Sequence, residues 1–162
     1  MLLAFSLYRT FEWIENHNVG FYIRSSTVWF PIIEAFHLLA LAVIGGAVLL
    51  VDLRLLGFQL TRQPIAQVAR DAEPWFRLSL AVMLVSGLLL FSSEAVKCYY
   101  NAAFWIKMVS LALAMLFTFT IQRRVVLRAQ GYDTTRGLRI VAIVSLVLWS
   151  GVGFAGRGIG FY

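Results

Sequence analysis

Two ionisable side chains lie within the first long apolar run of this sequence. Glu34 and His37 are the only such residues between Val28 and Val51, and their three-residue spacing places both on one side of a helix. An ionisable group inside a membrane is costly, so its presence predicts a function by default. A neutral imidazole can bind iron or copper through one ring nitrogen while an acceptor holds the other. We therefore interpret His37 as a candidate ligand and Glu34 as its supporting group; the alternative is a His–Glu hydrogen bond with no ligand.

Two basic residues are candidates for holding an anion near the same site. Lys107 lies one turn inside the third apolar run, from which its long side chain can extend toward the membrane surface. Arg157 lies in the glycine-rich stretch 156–160, where backbone N–H groups and a guanidinium could hold a carboxylate such as a haem propionate. The alternative for this stretch is a flexible terminus.

Two methionines fall near the middle of their apolar runs. Met83 and Met115 are expected at a depth comparable to that of His37. A thioether and an imidazole together suit Cu(I), and they also resemble a His/Met haem site. The alternative is that both methionines fill gaps in an apolar core.

The elements that must position these residues are transmembrane helices. Hydrophobic residues make up 60% of the 162-residue chain, charged residues make up 14% and the mean hydropathy is +0.80, whereas a soluble domain has about 25% charged residues. At about 1.5 Å per residue, each long apolar run can cross a hydrocarbon layer of about 30 Å. We predict an all-α, integral membrane four-helix bundle forming one domain over 1–162, with these spans: 28–51, 75–93, 104–121 and 138–155.

The boundaries of this bundle carry further signals. Pro74 is expected to mark the start of the second span. Residues 1–24 contain Leu3, Leu7, Phe11 and Ile14 at helical spacing, which predicts an amphipathic helix lying in the interface. The tryptophans near predicted span ends are typical of an interfacial belt; they are Trp29, Trp75, Trp105 and Trp149.

The distribution of Lys and Arg predicts the orientation. Nine of the 14 lie on the side of the two inter-span loops 52–74 and 122–137 and their flanks, and five lie on the side that contains both termini. The positive-inside rule then places both termini on the periplasmic side of a bacterial inner membrane. The net charge of +6 is expected to contact membrane lipids rather than nucleic acid, because the basic residues flank apolar spans instead of lining one face. The single cysteine, Cys98, excludes an intrachain disulfide and a cysteine-rich metal site.

Several short segments of the chain form a familiar pattern: Phe36–Ala40, Gly45-Gly46, Asp52–Leu56, Gly87–Phe91, Asn101, Phe104 and Lys107. This pattern resembles two bacterial membrane families, the CopD-type copper-resistance proteins and the HemJ-type protoporphyrinogen oxidases. Both have a membrane-embedded histidine, small residues about two turns later, and an Arg-Leu pair closing the helix. The resemblance covers about residues 30–125, and the chain is most similar to small four-helix relatives of these families.

The resemblance implies roles for two of the candidate residues. In HemJ-type proteins the matching histidine is linked to haem b and the matching lysine to activity, which carries over to His37 and Lys107. Those proteins have further histidines, whereas His17 is the only other histidine here. A second axial ligand would have to come from Met83, Met115, a lysine or a second subunit. The histidine- and methionine-rich segments expected of copper handlers are absent from this sequence.

Three hypotheses follow. The first is a b-type haem-binding redox or electron-transfer protein, with His37 as axial ligand and a redox protein or a quinone as partner. The second is a copper-handling membrane protein. The third is a non-catalytic subunit or scaffold, and a homo-oligomer is compatible with all three because a symmetric interface is common for small subunits.

Overall fold

A computed structural model describes residues 2–129 and 131–159, with side chains from Ser6 onward. Residues 1, 130 and 160–162, which include the last glycine of the predicted tail, lie outside the described residues, as does the side chain of Leu3. Within the described ranges the chain is helical and contains no strand. The helices are α1 (Leu2–Asn16), α2 (Asn18–Ser25), α3 (Trp29–Leu56), α4 (Ile65–Ser93), α5 (Ala95–Tyr100), α6 (Ala102–Phe117), a π-helical turn (Thr118–Gln122), α7 (Arg123–Arg128) and α8 (Arg136–Gly158).

Four of the described segments are long and apolar enough to cross a membrane. They are α3, α4, the continuous run from α6 through the π turn to α7, and α8, with mean hydropathies of 2.3, 1.8, 1.9 and 2.0 over their most apolar windows. Large apolar side chains on them remain exposed, for example Phe154 at 81% and Val147 at 66%, as expected of surfaces that face lipid. The prediction of an all-α, four-helix multi-pass membrane protein is confirmed.

The second span starts ten residues earlier than predicted. Pro64, not Pro74, precedes α4, and Pro74 lies inside the helix. An interior proline removes one helical hydrogen bond, which a membrane helix tolerates when neighbouring elements support it. The third span also extends beyond its predicted end at residue 121, to Arg128. The helix continues through the π turn and includes Arg123 and Arg124, which were expected to end it.

The order of the helices around the bundle follows from their close packing. α3 packs against α4 and α8, and α6 packs against α8. α3 and α6 therefore lie on one diagonal of the bundle, and α4 and α8 lie on the other. The seam between α4 and α6 is bridged by aromatic rings: Phe91 and Phe104 stack at 5.5 Å, and Phe76 and Phe119 lie 6.0 Å apart.

The two ends of the bundle differ. At one end α3 and α6 begin and α4 and α8 end, and α1 and α2 pack over it; we call this the capped end. Phe11 is buried there, 5.2 Å from the Phe91 ring. Gly20 lies so close to α4 that a Cβ would be 2.2 Å from the carbonyl oxygen of Ser92. The predicted segment 1–24 is thus two helices divided at His17. We call the other end, which carries the two arginine-containing loops, the arginine-rich end.

An apolar layer fills the middle of the bundle. Its buried residues come from all four spans and include Ile44, Leu80, Met83, Ala114 and Val152. A smaller cluster around Leu55 closes the arginine-rich end. Polar side chains lie on both sides of the middle layer, and these two polar layers are where chemistry is available.

Three of the four tryptophans assigned to the interfacial belt are exposed, and the belt itself stays a prediction. Trp29, Trp75 and Trp105 are exposed by 48%, 64% and 41%, but Trp149 is buried. The Trp149 indole N–H donates to the Thr118 hydroxyl at 3.1 Å. Its partner lies on the π turn of a different span, so the sequence position of Trp149 could not show that it belongs to the core.

Candidate functional site: a histidine–lysine contact across the bundle

His37 is buried and has a fixed orientation. Its Nδ1 lies 2.9 Å from the hydroxyl oxygen of Ser86 on α4. The Ser86 hydroxyl itself donates to the backbone carbonyl of Val82 at 2.7 Å, so it accepts a hydrogen bond from Nδ1–H. This donor–acceptor order leaves the lone pair of His37 on Nε2, which is the arrangement a histidine ligand requires.

Lys107 lies directly opposite this lone pair. Its Nζ is 3.5 Å from His37 Nε2, and the contact joins α3 to α6 along a diagonal of the bundle. The lysine was expected to reach toward the membrane surface, but its side chain is half-buried and turns inward. The ammonium donates a weak hydrogen bond to the imidazole lone pair, and this contact can be given up when another group approaches Nε2.

Glycines on the two flanking helices make room for this contact. A Cβ at Gly87 on α4 would be 3.2 Å from His37 Cε1, and one at Gly156 on α8 would be 3.6 Å from Lys107 Nζ. Each flanking helix therefore approaches the polar pair with no side chain in between. In the sequence Gly87 belongs to one of the segments that carry the resemblance, and its position beside His37 depends on α4 facing α3.

Glu34 does not support His37 as predicted. Its side chain is exposed on α3, and Ser86 takes the place at Nδ1 that was assigned to the glutamate. The physical reason is angular: residues three apart differ by about 60° around a helix. One can therefore face the interior while the other faces outward. Ser86 was missed because a serine in an apolar helix most often bonds back to its own helix.

The other candidate ligands lie in different surroundings. Met83 is buried in the middle apolar layer, and Met115 packs against the same layer. This is the arrangement expected of gap-filling methionines, and their role as ligands stays a prediction. Arg157 is exposed on the last turn of α8, next to Gly156. The structure thus brings together His37 and Lys107 and leaves Glu34 and Arg157 on the surface.

Protein ligands for a metal ion do not cluster in the described part of the chain. No group of three or more His, Cys, Asp and Glu side chains is found among residues 2–129 and 131–159. Cys98 lies on the short helix α5, where burial raises the pKa of its thiol to about 11. The thiol is therefore protonated at neutral pH, whereas a metal ligand is the thiolate.

A second polar layer, at the arginine-rich end, was not anticipated as a site. Asp52 on α3 is fully buried and accepts a hydrogen bond from Gln122 Nε2 at 2.8 Å. The hydroxyl of Ser145 on α8 donates to Gln122 Oε1 at 3.3 Å. Gln122 is the last residue of the π turn, and π turns of this kind are frequent at functional sites. From the sequence, Asp52 was expected where the first span meets the loop 52–74. Its contact with Gln122 depends on how the third span is rotated against α3, which the sequence alone does not show.

Arg54 is also buried, although the sequence placed it among the loop charges. Its Nε and Nη2 donate to the Gln63 carbonyl at 2.9 and 2.8 Å, and Nη2 also donates to the Tyr132 carbonyl at 3.0 Å. The guanidinium therefore ties the α3–α4 loop to the α7–α8 loop. This is a structural role at the arginine-rich end.

The fold and the two polar layers define a class: a small multi-pass helical membrane protein with polar contacts across the diagonal of its bundle. The chain belongs to a family of unknown function, DUF6644, whose family model matches residues 10–162. No curated protein and no solved structure matches the chain.

Proposed function

We propose that this protein is a b-type haem-binding redox or electron-transfer protein in which His37 is an axial ligand. The observation that carries the proposal is the hydrogen bond from His37 Nδ1 to Ser86, which leaves the Nε2 lone pair directed into the bundle. A hydrogen bond at the second ring nitrogen fixes the orientation of a ligating imidazole and raises its basicity.

The residues around His37 fit one axial bond. The described contact of Nε2 is with Lys107 Nζ at 3.5 Å, and the flexible stem of lysine lets this amine move away or, once deprotonated, offer its own lone pair. A bound haem would supply one-electron transfer. Arg157 on the last turn of α8 remains the candidate contact for a propionate.

The seam between α4 and α6 offers a route toward this site from the lipid. The two helices meet there through aromatic side chains, including the stacked pair Phe91 and Phe104. Such rings can separate without breaking backbone hydrogen bonds. We infer that an apolar ligand, and a quinone as electron partner, would enter laterally between these helices.

Copper handling is the alternative function. The observations favour it less, because Met83 and Met115 lie in the middle apolar layer. Elemental analysis of the purified protein separates the two functions.

Assembly with a second copy or with a partner subunit is a second candidate role. Glu34 is exposed on the lipid-facing side of α3, one turn from Leu38, which is exposed by 57%. A carboxylate facing hydrocarbon is costly, so covering this surface with another subunit would be favourable. Light scattering of the purified protein gives the number of copies.

The proposal includes a location. The excess of Lys and Arg on the arginine-rich side supports a bacterial inner membrane with this side in the cytoplasm and both termini in the periplasm. The capped end, with His37 and Lys107, would then face the periplasm, and the layer around Asp52 would face the cytoplasm.

The decisive experiment is the absorbance spectrum of freshly extracted protein from cells supplied with a haem precursor. We expect a Soret band that disappears in His37→Ala. His17→Ala is the matched control, because it removes the only other histidine, which is exposed between α1 and α2, and it should keep the band. A colourless preparation of the folded, unsubstituted protein would contradict the haem proposal, and copper in that preparation would support the alternative.

A further inference from the structure

Asp52 is the most completely buried carboxyl group among the described residues, and its environment is incomplete. Its relative exposure is 0%. One carboxyl oxygen accepts from Gln122, but the other, Oδ2, has no hydrogen-bond partner within the described part of the chain. A native structure rarely buries an unpaired oxygen, so each such atom requires an explanation.

A counter-ion does not provide that explanation. On its own helix, Arg54 directs Nε and Nη2 to the carbonyls of two loops. Its Nη1 is also buried without a hydrogen-bond partner in the described part of the chain, and it forms no salt bridge with Asp52. On α4 and α7, Glu73 forms ion pairs with Arg77 at 2.6 Å and with Arg123 at 3.2 Å. α8 contributes the neutral hydroxyl of Ser145 to this layer. Among residues 2–129 and 131–159, no cationic group forms a salt bridge with Asp52.

The direction of the hydrogen bonds indicates which ligand this carboxyl group takes. Ser145 donates to the Gln122 oxygen, and the Gln122 nitrogen donates to Asp52. The glutamine oxygen is therefore engaged by the hydroxyl and does not converge on Asp52. A metal cation of the hard type needs several oxygens around one centre, whereas a proton needs only the free oxygen.

We propose that Asp52 is a proton-binding site, which is a neutral carboxylic acid in the resting protein and exchanges its proton with water at the arginine-rich end. Deprotonation leaves an aspartate carboxylate and transfers one proton to water, and reprotonation reverses this step. An ionised carboxylate with one oxygen unpaired and no salt bridge in a low-dielectric interior is unfavourable compared with the neutral acid.

A groove beside this layer gives the proton a route to water. It has a volume of about 80 Å³ between α3, α4 and the segment from the π turn to α7. Its lining is mostly apolar and includes four polar residues, Gln122, Thr118, Glu73 and Arg123. Gln122 thus lines the groove and also contacts Asp52. The extra residue in the π turn gives this side chain its position between the two.

This site is separate from the His37–Lys107 contact. Asp52 lies 15 residues after His37 on the same helix, which corresponds to about 22 Å. The middle apolar layer, with Ile44 and Val152 fully buried, lies between them. Proton binding at Asp52 therefore does not depend on haem binding at His37.

The test is infrared spectroscopy of the purified protein in lipid nanodiscs, without added haem. We expect a C=O stretching band from a protonated carboxyl group at neutral pH, a shift of this band on labelling with [¹³C]aspartate, and its complete loss in Asp52→Asn. The sequence has three aspartates, and the other two, Asp71 and Asp133, are exposed, so the labelled band reports on Asp52 alone. Asp71→Asn is the matched control and should leave the band unchanged.

Two results would overturn the proposal. One is an aspartate label that appears only in ionised-carboxylate bands at neutral pH. The other is a sodium-dependent shift of the carboxylate bands that Asp52→Asn removes, which would indicate a cation site instead. The labelling of the unsubstituted protein gives an answer even if Asp52→Asn does not fold.

Discussion

The hydrogen bonds of the two polar layers of this bundle end in different chemical groups. At the capped end, the hydrogen bonds terminate in the lone pair of His37, which faces the movable amine of Lys107 at 3.5 Å. At the arginine-rich end, they run from Ser145 through Gln122 to Asp52 and terminate in an unpaired oxygen. Both layers join α3 to the third span across the diagonal of the bundle. Under the two proposals made above, the first layer exchanges a ligand and the second holds a proton.

The capped end depends on the absence of a side chain at position 87. We expect Gly87→Leu to displace His37, to abolish cofactor binding and to destabilise the protein by about 3 kcal/mol, which is typical of overpacking a filled interior. Thermal unfolding in detergent and the absorbance spectrum measure the two effects. Gly45→Leu is the control, because a Cβ at Gly45 meets nothing within 4 Å. Equal effects of the two substitutions would show that the space beside His37 is not specific.

The arginine-rich layer depends on the Gln122 amide. We expect Gln122→Leu to lower the free energy of unfolding by about 2 kcal/mol, because it leaves the Asp52 carboxyl group and the Ser145 hydroxyl without a partner. Chemical unfolding in detergent measures this change, and Gln67→Leu, at an exposed position of α4, is the control. Haem binding at His37 should not change in Gln122→Leu. A loss of haem in this variant would show that the two layers are coupled and would break the comparison.

Lys107 is expected to matter more for ligand binding than for stability. Lys107→Met keeps the length of the side chain and removes the amine beside His37 Nε2. We expect it to change the free energy of unfolding by less than about 1 kcal/mol, because the contact is long and half-buried, and to alter the Soret band if the amine lies beside the bound iron. Lys97→Met, on an exposed position of α5, is the control. A large loss of stability would instead indicate that the lysine holds the helices together.

The sequence predicted most of the fold and only part of the site. The four spans were predictable because a hydrocarbon layer requires long apolar runs, and His37 was found because it interrupts one of them. Glu34 was assigned to the wrong neighbourhood, since sequence spacing gives a shared side of the helix but not the rotation of that helix against its neighbours. Pro74 was mistaken for a start signal because proline is common at the first turn of a helix, and only the packed neighbours show that α4 continues through it.

By itself, the amino-acid sequence determined that the helices of this protein lie in lipid, because their length and hydropathy decide whether they are stable there. It also determined that His37 lies within one of these helices. Only the tertiary structure decided which groups meet. The contacts of His37 with Ser86 and Lys107, and of Asp52 with Gln122, each join residues 49 or 70 positions apart. Such contacts depend on how the helices are rotated, on where a glycine lets another helix approach, and on one π turn. Those features arise from the packing of all four spans together, so no single segment of the sequence encodes them.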